Sequence, residues 1–299
     1  MADALARLPP LTEVIRRHGL AADKRLGQHF LLDPGILGRI ALAAGPLSEA
    51  TVLEVGPGPG GLTRALLAAG AARVVAVERD PRCLVALAEL AAAAAGRLLL
   101  VEADARTFSI EGLAPPGALV IVANLPYNIG TELLLGWLRK ADAIARMVLL
   151  FQKEVALRLV AAPGSAEYGR LSVLAQLVCR VERLFDLAPG AFSPPPKVTS
   201  SLVRLVPRPD RPPAELLARV ERLTAAAFGR RRKMLRQSLK PLWPEPEPVL
   251  AGLGIPGSAR PEDLTPETFR RLALLLPAGG DQPSPEPVRN CWTNSERKG

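Results

Sequence analysis

Short apolar segments alternate with longer helical patterns through the first two thirds of the chain. Apolar runs with the length and composition of buried strands occur at residues 51–55, 73–77, 98–101, 118–122 and 146–151. Helical patterns follow most of them, including an Ala-rich one at residues 81–96. This alternation predicts an α/β fold with a doubly wound, mainly parallel sheet.

The pattern changes after residue 178. Runs at 178–187 and 198–206 predict an antiparallel pair of strands, joined by a connection that three consecutive prolines make stiff and extended. The proline-rich, charged segment 208–213 predicts a linker to a smaller, all-helical domain. The expected organisation is an N-terminal extension (1–22), a sheet-containing domain (23–207), the linker (208–213), a helical domain (214–276) and a disordered tail (277–299).

Two helix starts are predicted from local signals. Asp33 followed by Pro34 places a capping carboxylate before a proline at the first helical position, so residues 28–32 should approach that helix in extended form. An extended segment there can lie across a cofactor pocket. Thr265 gives a similar start to the last helix, expected at residues 267–276.

The charge balance favours a nucleic-acid partner. Basic residues exceed acidic ones by nine among 299 residues, and the isoelectric point is near 10.1. Such an excess neutralises phosphates. The segment 229–240 concentrates the charge, with six basic residues and no acid. We therefore expect phosphate contacts from Arg230, Arg231, Arg232, Lys233 and Arg236, with a solvated helix face as the alternative.

Other classes of protein are disfavoured. The three cysteines, Cys83, Cys179 and Cys291, are far apart and lack histidines at metal-ligand spacing, which fits a reducing cytoplasm and predicts no metal site. Prolines interrupt the longest uncharged stretch, residues 112–131, so no membrane span is expected. The N-terminus has no apolar core followed by a small-residue cleavage site, which argues against secretion.

The first strand runs into a glycine-rich loop at residues 56–61, GPGPGG. Gly56, Gly58 and Gly61 satisfy the dinucleotide fingerprint, so a nicotinamide or flavin enzyme is one interpretation. The two prolines, however, remove backbone N–H donors that a pyrophosphate would need, and Glu54 places a carboxylate beside the loop. Both features favour a cationic ligand without phosphate, such as S-adenosylmethionine.

Acidic residues end the next two strands. Glu78 lies where a carboxylate can accept both ribose hydroxyls of an adenosine, with a solvated surface acid as the alternative. Asp104 follows the third strand, where it can accept a hydrogen bond from an adenine amine. Both carboxylates are expected at one edge of the sheet.

The fourth strand leads into Asn124-Leu125-Pro126-Tyr127-Asn128. The Asn124 side-chain oxygen and the Pro126 carbonyl can accept the two hydrogens of an exocyclic amine, and the Tyr127 ring can stack on a flat base. Phe192 could supply a second ring for a sandwich, although plain core packing is equally consistent with its position. A strand followed by an ordinary turn is the alternative for the whole stretch.

These motifs, taken in order, make the chain resemble the ribosomal RNA adenine dimethyltransferases over roughly residues 20–276. The resemblance depends on eight segments: Leu26-Gly27-Gln28-His29-Phe30-Leu31, Glu54-Val55-Gly56-Pro57-Gly58, Glu78-Arg79-Asp80, Asp104-Ala105, Asn124-Leu125-Pro126-Tyr127-Asn128, Gln152-Lys153-Glu154-Val155, Tyr168-Gly169-Arg170-Leu171-Ser172 and Phe192-Ser193-Pro194-Pro195-Pro196-Lys197-Val198.

The resemblance implies the Rossmann-like fold of the S-adenosylmethionine-dependent methyltransferases, and methyltransferase activity with that cofactor. It implies that the cofactor is bound by His29, Leu31, Gly56, Glu78, Asp104 and Asn124, and that the target adenine is held by Asn124, Leu125, Pro126, Tyr127 and Phe192. Family members often have Asn at the position of His29. A cofactor contact made by the backbone of this residue would be the same with either side chain. The implied substrate is a pair of adjacent adenosines near the 3′ end of 16S rRNA in the small ribosomal subunit, and a monomer is expected.

Three alternatives remain from the sequence. One is a 23S rRNA adenine methyltransferase of the macrolide-resistance type, which matches less well around Phe192 and Gln152. Another is a protein of this fold that mainly binds, as a ribosome-assembly checkpoint or a transcription factor. The third is a nicotinamide dehydrogenase, which the prolines of the glycine loop disfavour.

Overall fold

A computed structural model describes residues 2–20, 22, 28–229 and 233–276. A seven-stranded sheet lies at its centre, accompanied by a two-stranded one. The strands are β1 (Phe30–Leu31), β2 (Thr51–Val55), β3 (Arg73–Glu78), β4 (Leu98–Glu102), β5 (Leu119–Asn124), β6 (Ile144–Gln152), β7 (Cys179–Leu187), β8 (Phe192–Ser193) and β9 (Ser200–Pro207). The predicted α/β fold is confirmed.

The large sheet has the order β4-β3-β2-β5-β6-β9-β7. Its first five strands are parallel, and β9 lies antiparallel between β6 and β7. The predicted antiparallel pairing of the last two long strands is therefore confirmed, and β9 also pairs with β6. Because the chain leaves β2 toward β3 on one side and returns to β5 on the other, a crevice opens at the carboxyl ends of these strands.

Helices cover both faces of the sheet and form the C-terminal part of the chain. They are α1 (Ala2–Ala6), α2 (Leu11–Arg17), α3 (Pro34–Ala43), α4 (Gly61–Ala68), α5 (Pro81–Ala93), α6 (Gly130–Arg139), α7 (Lys153–Val160), α8 (Arg170–Val178), α9 (Ala214–Phe228), α10 (Leu235–Ser238), α11 (Pro246–Gly252) and α12 (Pro266–Leu274). None of the helices in the described part of the chain is long and apolar enough to cross a membrane.

Local capping signals set several of these helix ends. The Asp33 side chain accepts a hydrogen bond from Ile36 N at 2.8 Å, and Thr265 caps α12 in the same way. The Ala-rich helix α5 ends earlier than predicted, because Ala95 and Gly96 both have positive φ angles. The caps confirm the two predicted helix starts to within one residue.

The apolar core continues from the sheet into the C-terminal helices. Val220 and Leu223 of α9 and Phe269 of α12 are fully buried in the same cluster as Trp137 of α6. The hydroxyl of buried Tyr168 also donates to Leu264 O at 2.8 Å. The C-terminal helices therefore pack directly on the sheet-containing part, while the division of the chain at residues 208–213 stays a prediction.

The segment before α3 forms the small second sheet. Strand β1 pairs antiparallel with β8, placing Phe30 opposite Ser193 and Leu31 opposite Phe192. Residues 30–31 are thus extended as predicted, and they are held by a part of the chain that lies far away in sequence.

Candidate active site

A cavity of about 230 Å³ opens at the carboxyl ends of β2, β3, β4 and β5. Five chain segments line it, and together they contain all six residues predicted to bind the cofactor: His29, Leu31, Gly56, Glu78, Asp104 and Asn124. Leu125, Pro126 and Tyr127 line the same cavity. The structure therefore brings the predicted cofactor residues and most of the predicted base-holding residues to one place, although their individual roles stay predictions.

The glycine loop is shaped by close contact with β1. Gly58 has φ +53°, and a Cβ atom there would lie 3.1 Å from the Phe30 ring. A side chain at this position would both strain the backbone and push β1 away. Glycine at residue 58 therefore allows the 28–31 segment to lie over the loop at the cavity wall.

Glu78 at the end of β3 is held in one orientation by backbone donors. Its side chain accepts hydrogen bonds from Gly58 N at 3.1 Å, Arg79 N at 2.8 Å and Asp80 N at 2.9 Å. Burial raises the pKa of this carboxyl, although these hydrogen bonds oppose the shift. The carboxylate is thus preorganised beside the glycine loop, where a pair of ribose hydroxyls could reach its remaining lone pairs.

Glu54 is a buried carboxyl at the cavity wall, with 1% of its surface exposed. Its Oε2 atom has no hydrogen-bond partner among the described residues. Burial raises the pKa of Glu54 from 4.5 to about 8, and the negative charge of Glu78 adds to the shift. A cationic ligand would satisfy this carboxyl, so the residues present fit S-adenosylmethionine, which carries an ammonium and a sulfonium.

Asp104 lies at the cavity rim in an ion pair that the sequence did not indicate. The Arg106 guanidinium donates to it at 2.6 Å, and the Arg106 backbone N–H donates at 3.0 Å. These bonds lower the pKa of Asp104 to about 2. Arg79 approaches the same carboxylate at 3.5 Å. An adenine amine would therefore share Asp104 with two arginines that also line the cavity.

Asn124 is the last residue of β5, and its side chain is oriented by a backbone carbonyl. Its Nδ2 atom donates to His29 O at 2.9 Å. Since the nitrogen faces this acceptor, the amide oxygen is the atom that remains to accept a hydrogen bond from a ligand. The arrangement suits the amine-binding role predicted for Asn124.

The structure changes the prediction for the Pro126 carbonyl. This oxygen accepts hydrogen bonds from Ile129 N at 3.2 Å and Gly130 N at 3.0 Å, where α6 begins. Because a carbonyl oxygen has two lone pairs, it has little capacity left for a ligand. Among the described residues, the neighbouring Leu125 carbonyl accepts no turn or loop backbone hydrogen bond, and Leu125 lines the same cavity, so a role of its carbonyl as the second acceptor becomes the prediction.

Tyr127 is held at its hydroxyl and along its ring. The Tyr127 and Ser200 hydroxyl oxygens lie 2.6 Å apart, and the Tyr127 ring centroid is 5.5 Å from that of His29. Sequence reasoning missed Ser200, whose signal is its position at the start of β9. That residue pairs with Gln152 at the end of β6, next to the strand that carries Asn124.

Phe192 lies in the core and not at the cavity wall. Its side chain is 4% exposed and packs among buried apolar residues on the α3 and α4 side of the sheet. The β1–β8 pairing places it opposite Leu31, which explains its burial. Stacking of Phe192 on a base stays a prediction that requires its ring to become uncovered.

Only part of the predicted RNA-binding segment lies among the residues that the structure describes. Arg230, Arg231 and Arg232 lie outside the described residues. Lys233, two residues before α10, and Arg236, within α10, are exposed. Their contact with RNA stays a prediction.

Comparisons with known proteins agree with this geometry. A family model described as ribosomal RNA adenine dimethylase matches residues 19–276. The ribosomal RNA small subunit methyltransferase A of Xanthobacter autotrophicus is 56% identical over 273 residues, covering 90% of this chain and 94% of that protein. The protein of the same name from Methylobacterium radiotolerans is 57% identical, covering 89% and 92%.

Two solved structures are similar over most of the chain. A dimethyladenosine transferase from Plasmodium falciparum has a TM-score of 0.69 and 28% identity, covering 82% of this chain and 96% of that one. The 23S rRNA methyltransferase ErmE has a TM-score of 0.63 and 30% identity, covering 83% and 99%.

Proposed function

The chain belongs to the ribosomal RNA adenine dimethylase family, whose members are S-adenosylmethionine-dependent methyltransferases, and on this premise we propose its substrate. The chain transfers methyl groups to the exocyclic N6 of two adjacent adenosines near the 3′ end of 16S rRNA in the small ribosomal subunit. The relatives named as small subunit methyltransferases, each more than half identical over most of the chain, support the choice of subunit.

One observation carries the proposal. Asn124, which can hold an amine, lines the same cavity as Glu54 and Glu78, which can hold a cationic adenosyl cofactor. The Asn124 side-chain nitrogen donates to His29 O. The Asn124 Oδ1 atom is therefore available to accept a hydrogen bond from the adenine amine without rearrangement of the side chain. In this arrangement a bound base amine would lie next to the cofactor, in the orientation that the reaction requires.

The chain's contribution is mainly positioning. S-adenosylmethionine, when bound, supplies an activated methyl group on its sulfonium. Hydrogen bonds from the adenine amine to Asn124 Oδ1 and the Leu125 carbonyl favour a pyramidal nitrogen with a localised lone pair, which is a better nucleophile than the planar amine. The Tyr127 ring offers a stacking surface, and its bond to Ser200 limits the motion of that ring.

The substrate must present the adenosine outside a base stack, because a stacked base cannot enter the cavity. Dimethylation also requires the site to accept the monomethylated amine. The exposed positive charges of Lys233 and Arg236 are assigned to the rRNA backbone. We expect the protein to act as a monomer in the cytoplasm, where small subunits are assembled.

The decisive experiment measures the transfer of labelled methyl from S-adenosylmethionine to small subunits that lack these methyl groups. Naked 23S rRNA serves as a parallel substrate. Labelled dimethyladenosine in 16S rRNA alone is the expected result. Label in 23S rRNA would point to the macrolide-resistance type of enzyme. Tight binding to the subunit without any label would indicate an assembly protein on a methyltransferase fold.

A further inference from the structure

His29 makes three contacts with parts of the site that are distant in sequence. Its backbone carbonyl accepts the Asn124 amide at 2.9 Å, its ring centroid lies 5.5 Å from that of Tyr127, and its Nδ1 lies 2.8 Å from Pro194 O. The two rings are inclined by 30°. One residue therefore contacts two of the predicted base-holding residues, Asn124 and Tyr127, and the connection between β8 and β9.

The contact with Pro194 fixes the proton position on the imidazole. A carbonyl oxygen can only accept, so a hydrogen bond at 2.8 Å requires a proton on Nδ1. The ring is then held at its Nδ1 by Pro194 O, while it lies beside the Tyr127 ring in a tilted arrangement. With its hydroxyl bonded to Ser200, Tyr127 is supported from two directions.

We infer that His29 is a positioning residue for the acceptor base: its carbonyl orients Asn124, and its ring, anchored on Pro194 O, sets the placement of Tyr127. This role depends on the proposed function, because it concerns the adenine that the site accepts. It differs from the cofactor contact implied by the resemblance, since two of the three partners of His29, Asn124 and Tyr127, are predicted base-holding residues.

Substitutions at residue 29 can separate the two side-chain contacts. In Asn the amide nitrogen is attached to Cγ, as Nδ1 is in His, so His29→Asn keeps the donor toward Pro194 but removes the ring. His29→Phe keeps a ring beside Tyr127 but has no donor. His29→Leu has neither, while the backbone carbonyl that orients Asn124 persists in all three variants.

Steady-state methyl transfer to unmethylated small subunits tests the role. We expect His29→Leu to lower kcat by about tenfold or more while the cofactor dissociation constant stays within about threefold, with His29→Asn and His29→Phe in between. His18→Leu is the matched control, because His18 is the other histidine of the chain and is exposed at the end of α2. Thermal unfolding of each variant verifies that it is folded.

Two results would overturn the inference: equal losses of kcat and of cofactor affinity in His29→Leu, or folded Asn and Phe variants that are no more active than the Leu variant. Failure of the unaltered protein to methylate small subunits would instead refute the proposed function.

A spectroscopic measurement tests the arrangement without substrate or activity. In ¹⁵N NMR spectra of the imidazoles, with His18→Asn used to assign the two histidines, His29 should carry its proton on Nδ1. A neutral ring protonated only on Nε2 would place a lone pair against Pro194 O and would refute the anchor.

Discussion

The side-chain nitrogen of Asn124 donates to the backbone carbonyl of His29 at 2.9 Å, across 95 residues of sequence. This hydrogen bond connects the strand that carries the base-holding residues with the segment that crosses the glycine loop. It leaves the amide oxygen for the substrate, and this orientation underlies the first prediction.

Replacing Asn124 with Ala should reduce methyl transfer by about a hundredfold or more, because one of two acceptors for the reacting amine is lost. Thermal stability should change little, since Asn124 is only partly buried. Turnover with labelled S-adenosylmethionine measures the effect, and Asn128→Ala, at an exposed asparagine nearby, should be milder. Near-normal turnover of Asn124→Ala would remove the hydrogen-bond account.

Cofactor affinity should increase with pH through the titration of Glu54. Burial raises the pKa of this carboxyl to about 8, so the free protein holds it protonated at neutral pH. A bound cation favours the ionised form, so binding releases protons, and affinity rises as the pH approaches about 8. Calorimetry in buffers of different ionisation enthalpy measures the released protons. In Glu54→Gln this proton release should vanish, and a pH-independent affinity of the unaltered protein would contradict the assignment.

Asp104→Ala should weaken cofactor binding by about tenfold if this carboxylate accepts a hydrogen bond from the adenine amine. The matched change in the ligand is the replacement of S-adenosylhomocysteine by S-inosylhomocysteine, which lacks the amine, and the dissociation constants of the two ligands are compared. Because both changes remove the same contact, their effects on the dissociation constant should not add. Additive losses would show that Asp104 acts only through its ion pair with Arg106.

Replacing Lys233 and Arg236 with Gln should weaken binding to rRNA and reduce the slope of log affinity against log salt by about one to two, since each phosphate contact releases a counterion. Arg222→Gln combined with Arg271→Gln removes the same charge from exposed positions on α9 and α12. If this control lowers the slope equally, the salt dependence reflects the overall positive charge of the protein and not phosphate contacts of the basic segment 229–240.

Tyr168→Phe should lower the free energy of unfolding by about 1–3 kcal/mol, because it leaves the Leu264 carbonyl without its 2.8 Å hydrogen bond inside the core. Denaturant unfolding followed by circular dichroism measures the loss. A single transition should be retained, since the C-terminal helices share an apolar cluster with the sheet. Separate transitions for the two parts would contradict the shared core.

The sequence by itself determined that the site residues would meet at one edge of a mainly parallel sheet. Glu54 is the penultimate residue of an apolar run, and Glu78, Asp104 and Asn124 lie one to three residues beyond the ends of the others. The carboxyl ends of parallel strands meet at one edge of the sheet. Local periodicity, the glycine loop and the helix caps depend only on neighbouring residues. For this reason they could be predicted without knowledge of the packing.

Only the tertiary structure decided which partners these groups have. Pro126 O is occupied by the start of α6, Asp104 is paired with Arg106, and Phe192 is buried where β8 meets β1. His29 reaches Pro194 across 165 residues because β1 pairs antiparallel with β8, which places Phe30 opposite Ser193 and so brings the neighbouring residues His29 and Pro194 together. Such contacts depend on the distances between elements after packing, and a pattern of apolar and polar positions along the chain does not encode those distances.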